Sequence, residues 1–464
     1  MPTVSEFSDS MVADLRRRST GSVFLPADRG YTQECATYNL TTPLRPRLAV
    51  GASTVEDVEA AVRFATEHGL GVAVRGGGHA VAKQDRGIVV INMSRMSDVS
   101  LDAHERRVRV GGGALWQDVL QAATPAGLAP MSGSSPTVGV TGYLLGGGHS
   151  PYLGRSHGWA AEHITSLEMV TADGSRRTVT AATAPELFMA VRGTKGNFGV
   201  VTSVEMGLFP IGRIYAGGLW FAGEHCAAVL HGWREWVAEA PNEMSSSVAV
   251  QRLPDDPNLP GPLRGTFVVH IRVAYLGAAD AGEKLLAPLR AVAPTVFETV
   301  RDLPYAEAAT IHLDPPSPLP YVDRSTGLAD LTADAVDALV GFAGPDSVCE
   351  LACIEIRHLG GALDVTPQTA DAIPARGLRY QMFAFGVGPQ SEIPRLRGRL
   401  AELVERMRPW SDARRMVSFL SPDEAGDQET MREVYGAGLY DRLVELKREF
   451  DPSNTFRINH NIAP

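Results

Sequence analysis

The chain has 464 residues, 44% hydrophobic and 21% charged, with a formal net charge of −10. That length accommodates two or three domains with sizeable cores, and the composition is that of a globular protein. An acidic balance with no basic cluster beyond Arg16–Arg18 argues against nucleic acid or an anionic membrane as the partner, and the scattered Cys35, Cys226, Cys349 and Cys353 suit neither a disulfide framework nor a zinc site. The polar N-terminus and the absence of a long apolar run give a cytoplasmic expectation without a membrane span.

In chain order, Thr54 caps a helix whose apolar positions are Val55, Val58, Ala61, Val62 and Ala65, with Asp57 three residues after the cap and Gly69 as its stop. A buried strand over Leu70–Val74 feeds the turn Arg75-Gly76-Gly77-Gly78-His79. Three glycines free the backbone to bring N–H groups close to a ligand, and the following imidazole is a nucleophile near neutral pH. Neither dinucleotide fingerprint fits, because no lysine follows and no helix opens. An ordinary turn with a solvated histidine would explain these residues equally well.

Further strands are expected at Ile88–Ile91, at Val108 and Val110, and at Gly199–Phe209, with helices around Ala114–Ala123 and at Pro185–Val191. Asp173-Gly174 marks a hairpin between Ile164–Val170 and Thr178–Thr180. The stretch 133–150 (Gly-Ser-Ser-Pro-Thr-Val-Gly-Val-Thr-Gly-Tyr-Leu-Leu-Gly-Gly-Gly-His-Ser) is too rich in glycine for a packed element and suits a chain lying against a flat ligand. Gly196-Asn197-Phe198-Gly199-Val200-Val201 adds a third tight turn before a strand. Each turn has a structural explanation of its own; together they suggest one long dinucleotide threaded across them.

Residues 1–211 thus read as a mixed α/β unit. Residues 212–414 alternate strand candidates (Ala216–Phe221, Ser246–Val250, Thr266–Ala274, Cys349–Ile356, Leu378–Val387) with helix candidates (Glu224–Val237, Ala279–Val292, Thr332–Phe342, Pro394–Met407). This is the pattern of an α+β domain with a large antiparallel sheet covered by helices on one face. Residues 415–464, with a helix over Gly438–Phe450, are expected to return to the first unit.

Four motifs, Arg75–His79, Gly139–Gly148, Gly196–Thr202 and Arg457-Ile458-Asn459-His460-Asn461, stand in an order and spacing that resemble the berberine bridge enzyme-like group of the vanillyl-alcohol oxidase family of FAD-linked oxidases. The resemblance is good over Arg45–Gly207 and Tyr435–Ile462 and sparse between, where Gly360-Gly361-Ala362 is the landmark. It implies a PCMH-type FAD-binding domain followed by a substrate domain. It also implies FAD bonded through His79 to its 8α carbon, with Arg75, Gly76, Gly77 and Gly78 at the pyrophosphate. Many relatives attach the flavin a second time through a cysteine where this chain has Ser135, so a single bond is expected.

Gly133, Ser134, Val138, Gly139, Gly142, Tyr143, Gly148, His149, Gly199, Val201, Asn459 and Asn461 complete the implied cofactor set. Val138 leaves room for O₂, and for His149 a structural and a catalytic role stand level. Tyr435 resembles the tyrosine that acts on substrate, although Leu439 departs from the family's asparagine. Glu355, with Arg357 two residues on, is a second candidate base, with a surface ion pair as the plain alternative. Tyr380, on the neighbouring strand candidate, and Tyr143 are the remaining candidates.

The implied activity is that of an oxidase taking hydride from a small-molecule alcohol, sugar or natural-product intermediate and passing electrons to O₂. The alternatives are a dehydrogenase or oxidative cyclase of secondary metabolism, or a flavin-binding protein without turnover. Either a monomer or a homodimer is compatible with the sequence.

Overall fold

A computed structural model of the chain describes residues 9–79, 87–424 and 426–464. Near its start, strands β1 (Ser22–Phe24), β2 (Leu48–Gly51), β3 (Gly71–Arg75) and β4 (Ile88–Asn92) form a sheet in the order β1-β2-β4-β3, parallel except for β1. Thr54 caps the helix Val55–Glu67 between β2 and β3. Asp57, fully buried, accepts backbone N–H bonds from Thr20, Gly21, Ser53 and Thr54 at 2.7–3.0 Å, so one carboxylate ties the helix start to the segment that leads into β1. Those four bonds hold its pKa below the ordinary value against the opposing effect of burial.

A second, antiparallel sheet follows, with β5 (Val99–Asp102), β6 (Arg107–Gly111), β7 (Ile164–Val170), β8 (Arg176–Val179) and β9 (Val200–Gly207) in the order β5-β6-β9-β7-β8. The β7–β8 hairpin turns at Asp173-Gly174 as expected, with Gly174 at φ +74°. One expectation is corrected here: the middle of the stretch 133–150 is a packed element, the helix Val140–Leu145. Val140, Leu144 and Leu145 fix it in the core, and glycine is confined to its ends and to its outer position Gly142, where a side chain would meet open space.

The third sheet holds β10 (Arg213–Ala222), β11 (Met244–Arg252), β12 (Phe267–Tyr275), β13 (Thr295–Glu298), β14 (Arg301–Pro304), β15 (Tyr321–Leu328), β16 (Cys353–His358), β17 (Tyr380–Val387) and β18 (Ser411–Asp412). Its order is β13-β10-β12-β11-β16-β17-β15-β18, with β14 also on β10, and every pair is antiparallel. Leu219, Val248, Ile271, Ile354 and Met382 face the helices Cys226–Ala238, Ala279–Arg290, Ala333–Ala343 and Ile393–Met407 in one apolar cluster. Alternation along each strand turns Ser247, Arg272, Glu355 and Arg357 to the opposite face, toward the first half of the molecule. That face is also buried, and polar.

The end of the chain runs along the first two sheets. Val72 donates to the Thr455 carbonyl at 2.8 Å, and Ile462 donates to Asn197 Oδ1 at 2.9 Å. Lys447, fully buried, bonds both Asp451 and the Asn197 carbonyl at 2.7 Å. The closing segment is thereby pinned beside the turn at 194–199.

Candidate active site

Two glycine runs meet backbone to backbone. A Cβ on Gly77 would lie 2.7 Å from the Gly139 nitrogen and 2.9 Å from the Thr137 carbonyl oxygen, so only glycine fits. Gly78, at φ +75°, turns the chain so that its carbonyl accepts from Tyr38 N at 2.9 Å. Arg75 reaches back, with Nε on the Ala36 carbonyl at 2.6 Å and Nη1 on Asn92 at 3.0 Å, and so braces the turn from behind.

At the end of this turn His79 lies flat on Tyr38, the rings 3.9 Å apart and 16° from parallel. Its Nε2 is 3.0 Å from Thr137 Oγ1, which is in turn 3.0 Å from Ser135 Oγ. The histidine and the serine that stands where many relatives have a second attachment are therefore linked through Thr137. Burial pushes the His79 pKa down to about 4, which leaves the imidazole neutral and nucleophilic at physiological pH.

Ser134, Val138 and Gly139 are part-buried on the same seam. Tyr143 packs edge-on against Trp116 at 5.2 Å and fills the space beside Gly133 and Gly148, its hydroxyl buried without a partner. His149 is buried, its Nδ1 likewise without a partner, and burial followed by Arg357 pushes its pKa down to about 3. Gly199 abuts the Val170 carbonyl and the Val201 side chain belongs to the core, so these two shape the start of β9. Asn459 and Asn461 each keep a buried side-chain oxygen without a partner, and His460 between them contacts Lys195 Nζ through Nδ1 at 3.3 Å.

Across from these residues, Glu355 is buried on the inward face of the third sheet. One oxygen accepts from Ser247 Oγ at 2.7 Å and Arg272 Nη1 at 2.8 Å; the other accepts Arg357 Nε and Nη2, both at 3.0 Å. Register builds this cluster, since Ser247 pairs with both Arg272 and Arg357 across β12-β11-β16. The surface ion-pair alternative for Glu355 and Arg357 is thus excluded. Burial raises the Glu355 pKa, but the arginines outweigh it and hold it well below the carboxylate range. With His149, Tyr152 and His312, the two arginines line a small cavity between the halves.

Two candidate bases lie elsewhere. Tyr380 pairs with His358 and sits in the apolar cluster under the helices, on the face opposite Glu355, because it is one residue out of phase with Phe383, Glu355's partner. Tyr435 is buried in the core and donates to the Gly193 carbonyl at 3.0 Å; burial raises its pKa, with no cation to offset the cost. Neither is among the residues that line the cavity.

Several residues beyond the sequence reading also converge. Lys195, at φ +58°, and Asp323 on β15 interact across the join between the halves. Burial pushes Lys195 down to about 8 and Asp323 up to about 6, and Asp323 Oδ1 has no partner. Lys195 immediately precedes the third glycine motif and was within reach of sequence reasoning. Arg272, His312 and Asp323 carried no such signal, since only register and loop path bring them inward. Among the described residues no group of histidine, cysteine and acidic side chains could hold a metal ion.

Unpartnered buried oxygens on Thr141, Tyr143, Asn459 and Asn461, beside a glycine seam where Gly77 and Gly139 exclude any side chain, are what an extended polar cofactor with a planar ring requires. The site and fold together define a dinucleotide-dependent oxidoreductase, and sequence relationships specify which. Residues 46–180 match the family model for the FAD binding domain, and 419–463 match that for berberine and berberine like proteins. The chain is 30% identical over 462 residues to (R)-6-hydroxynicotine oxidase of Paenarthrobacter nicotinovorans, covering 96% of this chain and 97% of that protein. It is 25% identical over 464 residues to xylooligosaccharide oxidase of Thermothelomyces thermophilus, covering 93% and 90%. The solved structure of 6-hydroxy-D-nicotine oxidase from Arthrobacter nicotinovorans superposes with a TM-score of 0.83 at 26% identity, over 96% of this chain and 98% of that one. The chain belongs to the berberine bridge enzyme-like FAD-linked oxidoreductases, with the PCMH-type FAD-binding fold and its large antiparallel sheet.

Proposed function

We propose that this protein is an oxidase with FAD attached through His79 alone, acting on a small molecule held between the flavin and the inward face of the third sheet. The observation that carries this reading is the neutral His79 ring, clamped by Tyr38 and Thr137 at the end of a turn in which Gly77 admits no side chain. Nε2 is engaged by Thr137, which leaves Nδ1 as the nitrogen for the bond, and the hydroxyl of Ser135 cannot make the thioether that a cysteine makes. Arg75 to Gly78 would hold the pyrophosphate, and Tyr143, Asn459 and Asn461 would meet the ring system. Bound FAD would accept hydride at N5 from a substrate C–H bond and return the electrons to O₂ as H₂O₂.

The chain's own residues would bind and orient the substrate. Glu355 remains ionised and serves as the anchor of Arg272 and Arg357. His149, neutral and on the cavity wall with Nδ1 free, would accept a hydrogen bond from the substrate. Tyr143 offers an O–H donor beside it. Within this reading the protein resides in the cytoplasm and its domains run 1–211, 212–414 and 415–464.

The test is direct. Acid-precipitated wild type should stay yellow, His79→Ala should release its colour, and an oxidase assay should yield peroxide in step with oxygen consumed. A wild-type pellet that is colourless while the supernatant holds FAD would sink the covalent bond.

A further inference from the structure

The wall of the cavity between the halves holds more positive charge than its own acid neutralises. Arg272 and Arg357 share the single carboxylate of Glu355, and all three are buried, at 4%, 7% and 4% exposure. The next acid, Asp314, is exposed and acts on Arg272 only at a distance. Arg272 Nε has no hydrogen-bond partner. Neither ring nitrogen of His312 has one, although Nε2 is 3.7 Å from Glu355. His149 Nδ1 is in the same condition, and so are both nitrogens of His270, whose ring lies flat on Trp220 at 3.8 Å.

Two buried guanidiniums on one carboxylate leave a positive charge uncompensated, which is costly, and so is a buried donor without an acceptor. Arg272 Nε, His312 and His149, all on the wall of this one cavity, describe a missing ligand that carries acceptors and one negative charge. A fork of guanidinium donors beside imidazole N–H groups matches a carboxylate better than a hydroxyl, and a protonated amine would add a further cation to a wall already in excess.

We propose that the cavity lined by Arg272, Arg357, His312 and His149 receives the carboxylate of the substrate, making this an oxidase of carboxylic acids rather than of amines or neutral sugars. The proposal rests on the functional reading above and specifies its substrate class. In the bound state Arg357 and Arg272 flank the carboxylate on the side away from Glu355, and His312 donates to it. The C–H bond to be broken is then held at a fixed distance from an ionic anchor.

The experiment uses purified holoenzyme and reads the flavin absorption as matched small molecules are added: acetate against acetamide, and benzoate against benzamide and benzylamine. The acids should bind about tenfold or more tightly than their amides, and benzylamine should not bind. Arg272→Gln and Arg357→Gln should each erase the preference for acid. Should neither variant fold, the wild-type comparison decides alone.

A yellow preparation that binds benzoate and benzamide alike overturns the anion site and leaves the functional reading standing. A preparation without FAD overturns both. If the arginine variants shift the flavin's reduction potential while wild type shows no preference for acids, the charge serves the reduced flavin and the proposal fails.

Discussion

The glycine seam and the inward face of the nine-stranded sheet are built by opposite means. On the seam, backbone meets backbone: Gly77 and Gly139 approach so closely that a single methyl group would collide with a main-chain atom. On the sheet face, side chains do everything, and the backbone is ordinary antiparallel strand. Seam chemistry is encoded in residues adjacent in sequence. Sheet chemistry is encoded in residues from β11, β12 and β16 that only pairing brings within hydrogen-bond reach. At Gly77 and Gly139 the first admits no side chain; the second tolerates change of shape but not of charge.

The harshest way to break the comparison is Gly77→Ala. The new Cβ meets backbone that cannot step aside, so the substitution should cost about 3 kcal/mol or more and abolish FAD incorporation. A refolded, yellow Gly77→Ala protein in an absorbance and denaturation assay would show that the seam yields after all.

On the sheet face, Glu355→Gln preserves shape while stranding two buried arginines. It should lower stability by about 3–5 kcal/mol, read from the urea midpoint. The sign with pH is fixed by the depressed pKa of this carboxyl. Its stabilisation is fully present above the ordinary carboxylate range and is lost as pH falls toward the lowered folded value. The gap between wild type and variant should therefore be widest near neutrality and should narrow in acid; a gap that widens in acid would contradict the assigned charge state.

Asp323 on β15 supplies the reverse case on the same sheet. Burial lifts its pKa from 3.8 to about 6, so the folded state holds its proton longer than the unfolded chain. The stability it contributes is present below the unfolded pKa and is lost as pH rises through the folded one. Asp323→Asn should thus be more stable than wild type at pH 8, by about 2–3 kcal/mol, and equal to it near pH 3. Equal midpoints at both pH values would show that Lys195 already neutralises the carboxylate.

The same contrast explains what could be read from sequence. Thr54 with Asp57, the turn at Asp173-Gly174, and Arg75–His79 are local signals, and each is found in place. The strands Thr295–Glu298, Arg301–Pro304 and Tyr321–Leu328 went unrecognised. In Tyr321–Leu328 the inward residues include Asp323 and Ser325, buried yet polar, so the apolar alternation that marks a strand is absent. Glu355 was legible as a residue of interest, but its burial and its second arginine were not, because Arg272 lies 83 positions away. Local glycine chemistry survives translation into one dimension, and cross-strand electrostatics does not.

Tyr435 gives the gentlest test, because it separates likeness of motif from likeness of place. Its hydroxyl has one partner, the Gly193 carbonyl, and its ring belongs to the core of the first half. Tyr435→Phe keeps the packing and removes one neutral hydrogen bond, so stability should fall by about 1 kcal/mol while kcat and its pH profile stay where they were. His149→Gln, by contrast, should depress kcat at every pH without a comparable loss of stability. If instead Tyr435→Phe lowers kcat by orders of magnitude at unchanged stability, Tyr435 acts on the substrate and its assignment to the core alone fails.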